Sequence, residues 1–131
     1  MKKFDVQTGS KEVFVDISGQ VEGEVRRSAI KSGICVVYVP HTTAAVTINE
    51  NADPTVRQDI LMTLHKVVPD SLPYGHTEGN SPAHVKSSLV GASITIPIED
   101  GRLVLGTWQG VFFCEFDGPR RRQVYVQLLP A

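Results

Sequence analysis

One short segment of this 131-residue chain joins its most continuous apolar run to a dense group of polar side chains. Residues 34–39 are apolar and rich in β-branched side chains, which is typical of a strand covered on both faces. Residues 40–53 then bring one histidine, three threonines, two asparagines and two carboxylates. Buried polar groups cost free energy unless something satisfies them. The segment therefore predicts either a dense internal hydrogen-bond network or a binding site.

The rest of the chain predicts an α+β fold, a mostly antiparallel sheet or sandwich with two to three helices on one side. Alternating apolar residues indicate an N-terminal hairpin made of residues 3–8 and 12–18. Further strands are predicted at 46–48, 93–98, 103–105, 111–116 and 123–129. Helices are predicted at 19–31, with Gly33 as the stop, at 54–68, where Asp53 is the N-cap and Pro54 the first residue, and at 83–90, with Ser81 as the cap.

Length and composition indicate one domain spanning residues 1–131, with a core of its own. The net charge of −1 gives no reason to expect nucleic acid or an anionic membrane as a partner. No apolar run approaches the roughly 20 residues that a membrane helix needs. The two cysteines lie in apolar runs, so we expect reduced core residues in a cytoplasmic protein. The basic cluster 120–122 follows a turn and is interpreted as a solvated hairpin tip.

Three histidines lie outside regular core positions. His41 ends the apolar strand, and His76 lies in a glycine-containing loop. His84 would be the third helical residue if Ser81 caps the helix, and there the helix dipole favours the neutral imidazole that a metal requires. Together they suggest a divalent metal, with zinc favoured over magnesium because the ligands are imidazoles. Taken singly, each could instead be a histidine with only a structural role.

Two further patches suggest ligand contacts. The helix start at Ser81 offers free backbone N–H groups and a hydroxyl, and Lys86 adds a cation, which together suit phosphate or sulfate. A metal ion and an anion are compatible there, since divalent ions commonly bridge phosphates to protein. Glycines at 106 and 110 interrupt a strand around Trp108 and Gln109. The Trp could stack on a ligand ring that Gln109 hydrogen-bonds, or it could simply pack on a bulge.

Four motifs, in this order, resemble those of the YjbQ-like family, whose members are often described as secondary thiamine-phosphate synthases. They are residues 41–45 (HTTAA), 49–53 (NENAD), 79–86 (GNSPAHVK) and 106–109 (GTWQ). The resemblance covers essentially the whole chain. It implies a trimeric α+β protein with histidine-lined sites near subunit interfaces and a weak thiamine-phosphate synthase activity. It also implies that His41 and His84 are site residues, with Glu50, His76, Asn80 and Lys86 as neighbours.

Three functions remain open at this point. The first is a transferase that joins a pyrophosphorylated pyrimidine to a thiazole phosphate. Its catalytic residues would be His41, His84, Lys86 and Glu50, and its ligand contacts Trp108, Gln109, Asn80 and Ser81. The second is a zinc-dependent hydrolase of a small phosphate or ester, with His41, His76 and His84 as metal ligands and Glu50 as the base. The third is a trimeric module that binds a metabolite or an inorganic anion without turning it over.

Overall fold

A computed structural model describes all 131 residues, and it confirms the α+β class. Every paired strand is antiparallel, and the strands form two sheets, of five and of three strands. The helices are α1 (Ser18–Ser28), α2 (Pro54–Val67) and α3 (Ser81–Val90). The five-stranded sheet has the order β1 (Lys2–Gln7), β8 (Arg121–Pro130), β3 (Gly33–Tyr38), β5 (Ser93–Glu99) and β6 (Arg102–Leu103). The three-stranded sheet has the order β2 (Val13–Asp16), β7 (Gln109–Glu115) and β4 (Ala44–Glu50).

The main core lies between the two sheets and α1, where sixteen buried apolar residues form one cluster. A second cluster lies on the opposite face of the three-stranded sheet, against α2 and α3. The central strand β7 is therefore buried on both faces, with Phe113 in the first cluster and Phe112 in the second. None of the three helices is long and apolar enough to cross a membrane.

The apolar strand β3 is covered on one face only, contrary to the prediction. Its burial alternates, and Ile34 and Tyr38 remain 44% and 46% exposed. The reason is that β3 lies in the five-stranded sheet, whose outer face has no further layer of this chain over it. The Tyr38 ring lies beside the ring of Tyr125 on that face, with 6.2 Å between centroids. Cys35 and Cys114 are buried and free, as predicted, and burial raises the pKa of the Cys35 thiol to about 11.

The predicted N-terminal hairpin is wrong. Strand β1 pairs with β8, and β2 pairs with β7, so the chain crosses from one sheet to the other between them. The segment between β7 and β8 makes the reverse crossing at the same corner. The two crossings are tied together, since the Thr8 N–H donates to the Arg120 carbonyl at 2.9 Å and the Gly118 N–H to the Lys11 carbonyl at 2.9 Å. Gly118 has no room for a side chain, because a Cβ there would collide with the Ser10 carbonyl oxygen.

The helix starts are partly as predicted. Asp53 caps α2 by accepting the Thr55 N–H at 2.9 Å, and Pro54 is the first helical residue. In α3 the N-cap is Asn80, one residue earlier than predicted, so His84 is the fourth helical residue. The backbone N–H of His84 donates a long hydrogen bond to the Asn80 carbonyl at 3.4 Å, so it is not a free helix-start donor. Helix α1 ends well before the predicted stop, because Ala29 adopts a left-handed conformation and closes the last turn.

Candidate functional site

A polar cavity of about 690 Å³ opens beside the corner where the chain crosses between the sheets. It lies among the segment after β3, the loop that precedes α3, the start of α3 and the beginning of β8. Every residue lining it is polar or charged except one proline: Pro40, His41, Thr42, Thr43, His76, Glu78, Asn80, His84, Asp117, Arg120 and Arg122. The structure thus brings together His41, His76 and His84, which are far apart in the sequence. We refer to this space as the histidine-lined cavity.

His76 and His84 form one side of the cavity. Their ring centroids are 5.4 Å apart and their planes are nearly perpendicular, at 88°. The Glu78 carboxylate lies 3.9 Å from His76 Nε2. Both of these side chains are well exposed, so the contact is weak as an ion pair. The two imidazoles are close enough to contact the same small ligand.

His41 is held in a defined orientation by the backbone. Its Nε2 accepts the N–H of Gln123 at 3.0 Å, so this nitrogen carries the lone pair. Partial burial and the nearby Arg122 guanidinium lower the pKa of His41, which favours the neutral ring. In a neutral ring whose Nε2 is an acceptor, the proton is on Nδ1. His41 therefore offers an Nδ1–H donor, and no group of the chain accepts a hydrogen bond from it.

A buried ion pair supports the floor of the cavity. Glu115 is fully buried and Arg122 is 3% exposed. Arg122 donates from Nε to Glu115 Oε1 at 2.9 Å and from Nη2 to the other carboxylate oxygen and to the Thr43 hydroxyl, the latter at 2.8 Å. The Thr8 hydroxyl and the Asp117 N–H also donate to the carboxylate, at 2.8 and 3.0 Å. Burial alone would raise the pKa of Glu115, but these hydrogen bonds outweigh it and lower the pKa.

Asp117 organises the rim of the cavity. Its Oδ2 accepts from Asn80 Nδ2 and from Arg120 Nη2, both at 3.0 Å. The other amide atom of that asparagine, Asn80 Oδ1, is buried and has no hydrogen-bond partner in the chain. A buried acceptor without a donor is costly. The rim therefore contains one enclosed acceptor whose hydrogen-bonding capacity the chain does not use.

The basic cluster at the start of β8 is not a solvated tip, contrary to the interpretation from sequence. Arg122 is buried against Glu115, Arg120 pairs with Asp117, and only Arg121 faces outward, toward Asp5. A signal for this was present, because Arg122 shares its side of the strand with Val124 and Val126, which point into the core. Sequence reasoning also missed three residues that support the cavity, Thr8, Glu115 and Asp117, whereas Thr43 lies in the polar segment that it singled out.

Two of the predicted site residues at α3 do not line the histidine-lined cavity. The Lys86 side chain is buried, and its Nζ donates to Glu12 Oε2 at 2.7 Å. Lys86 faces an adjoining cavity of about 360 Å³ that also contacts Glu78, Asn80 and Asp117. Ser81 lines neither cavity, and it is the first residue of α3 and not its N-cap.

Glu50, Trp108 and Gln109 lie at the far end of the three-stranded sheet. Ala44 pairs with Glu115 at the cavity end, whereas Glu50 pairs with Gln109 six residues along the same strand. At about 3.3 Å per residue, this separation is roughly 20 Å. Trp108 is 63% exposed, and Gln109 Oε1 accepts the Gly106 N–H at 2.8 Å. These residues therefore do not join the histidines within this chain, because Glu50 and Ala44 lie at opposite ends of β4.

Comparison with known proteins gives one consistent match over nearly the whole chain. The family described as "UPF0047 protein YjbQ-like" matches residues 2–131. The UPF0047 protein MJ1081 of Methanocaldococcus jannaschii is 54% identical over 127 residues, which cover 97% of this chain and 92% of the relative. UPF0047 protein YugU of Bacillus subtilis is 47% identical over 130 residues, 98% of each chain. The crystal structure of an uncharacterized conserved protein from Clostridium acetobutylicum superposes with a TM-score of 0.97 at 50% identity, over 98% of this chain and 100% of that one.

The buried ion pair leads to a prediction about stability. Substitution Glu115→Ala leaves the Arg122 charge buried without its partner, which typically costs about 3–5 kcal/mol. Urea unfolding followed by circular dichroism should therefore show a large fall in the free energy of unfolding. Asp5→Ala is the matched control, since it removes the carboxylate from the exposed pair with Arg121 and should leave the urea midpoint almost unchanged. Equal effects of the two substitutions would contradict a central role for Glu115.

Proposed function

This chain belongs to the YjbQ-like UPF0047 family, and we propose that it binds a small phosphorylated molecule in the histidine-lined cavity. The observation that carries the proposal is the composition of the lining, which is polar or charged apart from one proline. Cofactor and drug-like sites are mostly apolar with a few polar groups. A cavity of this size without apolar walls suits a strongly hydrated, multiply charged ligand instead.

The donors available in the cavity support an anionic ligand. His41 offers Nδ1–H, and the guanidinium groups of Arg120 and Arg122 both reach the lining. Hydrogen bonds from charged donors to phosphate oxygens are among the stronger ones in proteins. Each arginine already has a carboxylate partner, Asp117 or Glu115, so the excess positive charge is small. The proposed recognition therefore depends on well-placed donors more than on the overall field.

A divalent transition metal is proposed as a helper on the His76–His84 side. Two imidazoles bound tetrahedrally to one zinc ion, at about 2.0–2.1 Å from each nitrogen, have ring centres roughly 5 Å apart. The observed 5.4 Å is compatible with that arrangement. His41 fits the predicted ligand set less well, because the lone pair on its Nε2 already accepts the hydrogen bond from the Gln123 N–H. No three His, Cys, Asp or Glu side chains are already grouped to hold a metal ion. A metal there would supply positive charge to a phosphate.

The transferase activity that the family resemblance implies is a more specific proposal. The anion-binding donors suit a pyrophosphate leaving group. The cavity has no aromatic lining that could stabilise a pyrimidine cation apart from the imidazoles, and Trp108 lies at the other end of the sheet. Glu50 lies there too, so it is not placed as a base for the histidines of its own subunit. Transferase chemistry with Trp108 would require a neighbouring copy to supply it.

A homotrimer, likewise implied by the resemblance, is therefore part of the proposal. Its support is the uncovered outer face of the five-stranded sheet, where Ile34, Tyr38 and Leu129 are all more than 40% exposed. Ile34 pairs with Leu129 across neighbouring strands, so the apolar side chains are contiguous. Contiguous exposed apolar surface is typical of a protein interface.

Light scattering during gel filtration should give about three times the chain mass of 14.3 kDa. Introducing a charge with Tyr38→Glu should lower that mass toward a single chain, since it places a carboxylate in the apolar face. The same substitution at an exposed position outside this face, Met62→Glu, is the control and should leave the mass unchanged. A single-chain mass for the unaltered protein would remove the trimer from the proposal.

Ligand binding is tested directly with inorganic pyrophosphate. Isothermal titration should detect binding, and His84→Ala should weaken it by roughly tenfold or more, because an imidazole of the lining is lost. His65→Ala is the matched control, since His65 lies on α2 and lines only the adjoining cavity. Absence of pyrophosphate binding, with zinc and without, would overturn the proposal. Equal binding by the two variants would place the ligand elsewhere.

Metal content is tested on protein purified without chelators. Elemental analysis should find zinc or another divalent transition metal near one equivalent per chain, and His76→Ala should reduce it, because one of two proposed ligands is removed. His65→Ala again serves as the control. If the purified protein holds no metal and takes up none on dialysis against zinc, the hydrolase alternative is contradicted, because its nucleophile is a zinc-activated water.

Pyrophosphate binding without any turnover of phosphate esters or thiamine precursors would favour the binding module.

A further inference from the structure

We propose that Arg122 and His41 together form a subsite for a tetrahedral oxyanion on the floor of the histidine-lined cavity. This inference rests on the proposed function and assigns the part of the site that holds the ligand's phosphoryl group. The sequence pointed instead to the start of α3, with Ser81 and Lys86, as the place for an anion. The structure moves both of those side chains out of the cavity lining.

The hydrogen bonds of Arg122 leave one part of its guanidinium free. Nε donates to Glu115, and Nη2 donates to Glu115 and Thr43. Nη1, which carries two N–H groups, makes no hydrogen bond within the chain. It is also not enclosed, since the one buried side-chain polar atom without a partner is Asn80 Oδ1. The side chain is 3% exposed, and Arg122 lines the histidine-lined cavity. Nη1 therefore presents its donors to that cavity.

The guanidinium group of Arg122 is held in one orientation by buried hydrogen-bond partners. Its guanidinium is fixed by both oxygens of Glu115 and by the Thr43 hydroxyl, all of which are buried. By contrast, the neighbouring Arg121 side chain is 71% exposed and that of Arg120 is 48% exposed. A donor that is already fixed loses little conformational entropy when a ligand binds. Glu115 and Thr43 act here as positioning residues for the guanidinium.

His41 is anchored next to the same strand residue. The N–H that holds its Nε2 belongs to Gln123, which directly follows Arg122 in β8. Nδ1 makes no hydrogen bond within the chain and is not a buried unpartnered atom. His41 lines the histidine-lined cavity and one further surface pocket, and Thr42 and His84 also line both. Arg122 and the residue that anchors His41 are thus neighbours at one end of β8, and the side chains of Arg122 and His41 line the same cavity.

The positions of the N–H groups on Arg122 Nη1 and His41 Nδ1 favour one shape of anion. A planar carboxylate binds an arginine best through two parallel hydrogen bonds from Nε and Nη2. Glu115 already occupies that edge of the guanidinium. The remaining Nη1 donors and the separate His41 donor suit oxygens that point in different directions. A phosphate or sulfate group offers such oxygens, whereas acetate does not.

The test uses inorganic phosphate and the full-length protein. Arg122→Lys keeps a cation opposite Glu115 but removes Nη1, so the dissociation constant for phosphate should rise by roughly tenfold or more. Arg121→Lys makes the same chemical change on the outward face of the same strand and should leave it within about twofold. Acetate should bind the unaltered protein much more weakly than phosphate. Equal weakening by the two variants, or equal affinity for acetate, would overturn the subsite.

A second measurement decides the matter even if Arg122→Lys does not fold. Nitrogen-15 spectra of the histidine rings should show His41 with its proton on Nδ1, and the Nδ1 resonance should move when phosphate is added. Binding of phosphate that leaves this resonance unmoved would place the anion elsewhere, for example near α3, and would overturn the subsite while leaving the proposed function standing. If neither phosphate nor pyrophosphate binds at all, the proposed function and the subsite fail together.

Discussion

The ion pair between Glu115 and Arg122 is the interaction on which the arrangement of this protein depends. Glu115 is the last residue of β7 in the three-stranded sheet, and Arg122 is the second residue of β8 in the five-stranded sheet. The pair therefore joins the two sheets at the corner where the chain crosses between them. Removing two charges from water is expensive, and a buried pair is rarely a net gain in stability over apolar residues of equal size. Its physical effect here is geometric, because the hydrogen bonds of Thr8, Thr43 and Asp117 all require this one arrangement.

The candidate site is a consequence of that corner. Once Arg122 is fixed, the next peptide group fixes His41 through the Gln123 N–H. Asp117, in the same crossing segment, then gathers Asn80 and Arg120 at the rim. The floor of the cavity is thus built from Arg122 and His41, each of which is already held by hydrogen bonds within the chain. The floor groups proposed to face the cavity, Arg122 Nη1 and His41 Nδ1, are hydrogen-bond donors, and this is why we propose an anion and not a bare metal ion at this position.

The positions of the helices and strands were predicted from the sequence better than the pairing of the strands. Period and capping signals are local, so the Asp53–Pro54 start of α2, the strands and the fold class could be read directly. Pairing is not local: β1 and β2 look like a hairpin, yet each pairs with a strand more than 90 residues away. The same limit explains the site. The convergence of the histidines was proposed from the sequence, whereas the floor was missed, because Arg122 lies in a run of three arginines that resembles a solvent-exposed cluster. The two-residue period shared with Val124 and Val126 was the contrary signal.

The two sides of the cavity differ in rigidity, and this bears on its chemistry. The floor is buried and hydrogen-bonded, while His76 and Glu78 on the opposite side are 42% and 74% exposed at their side chains. A ligand held on the floor would leave its other end among side chains that are free to adjust. Fixed donors define the charge and shape of the group that is bound, and an adjustable side permits different attached groups or a metal ion. Under the proposed function, discrimination between ligands then depends on the exposed side, or on a neighbouring copy in the proposed trimer. The exposed apolar side chains on the outer face of the five-stranded sheet are the observation that supports the proposed trimer.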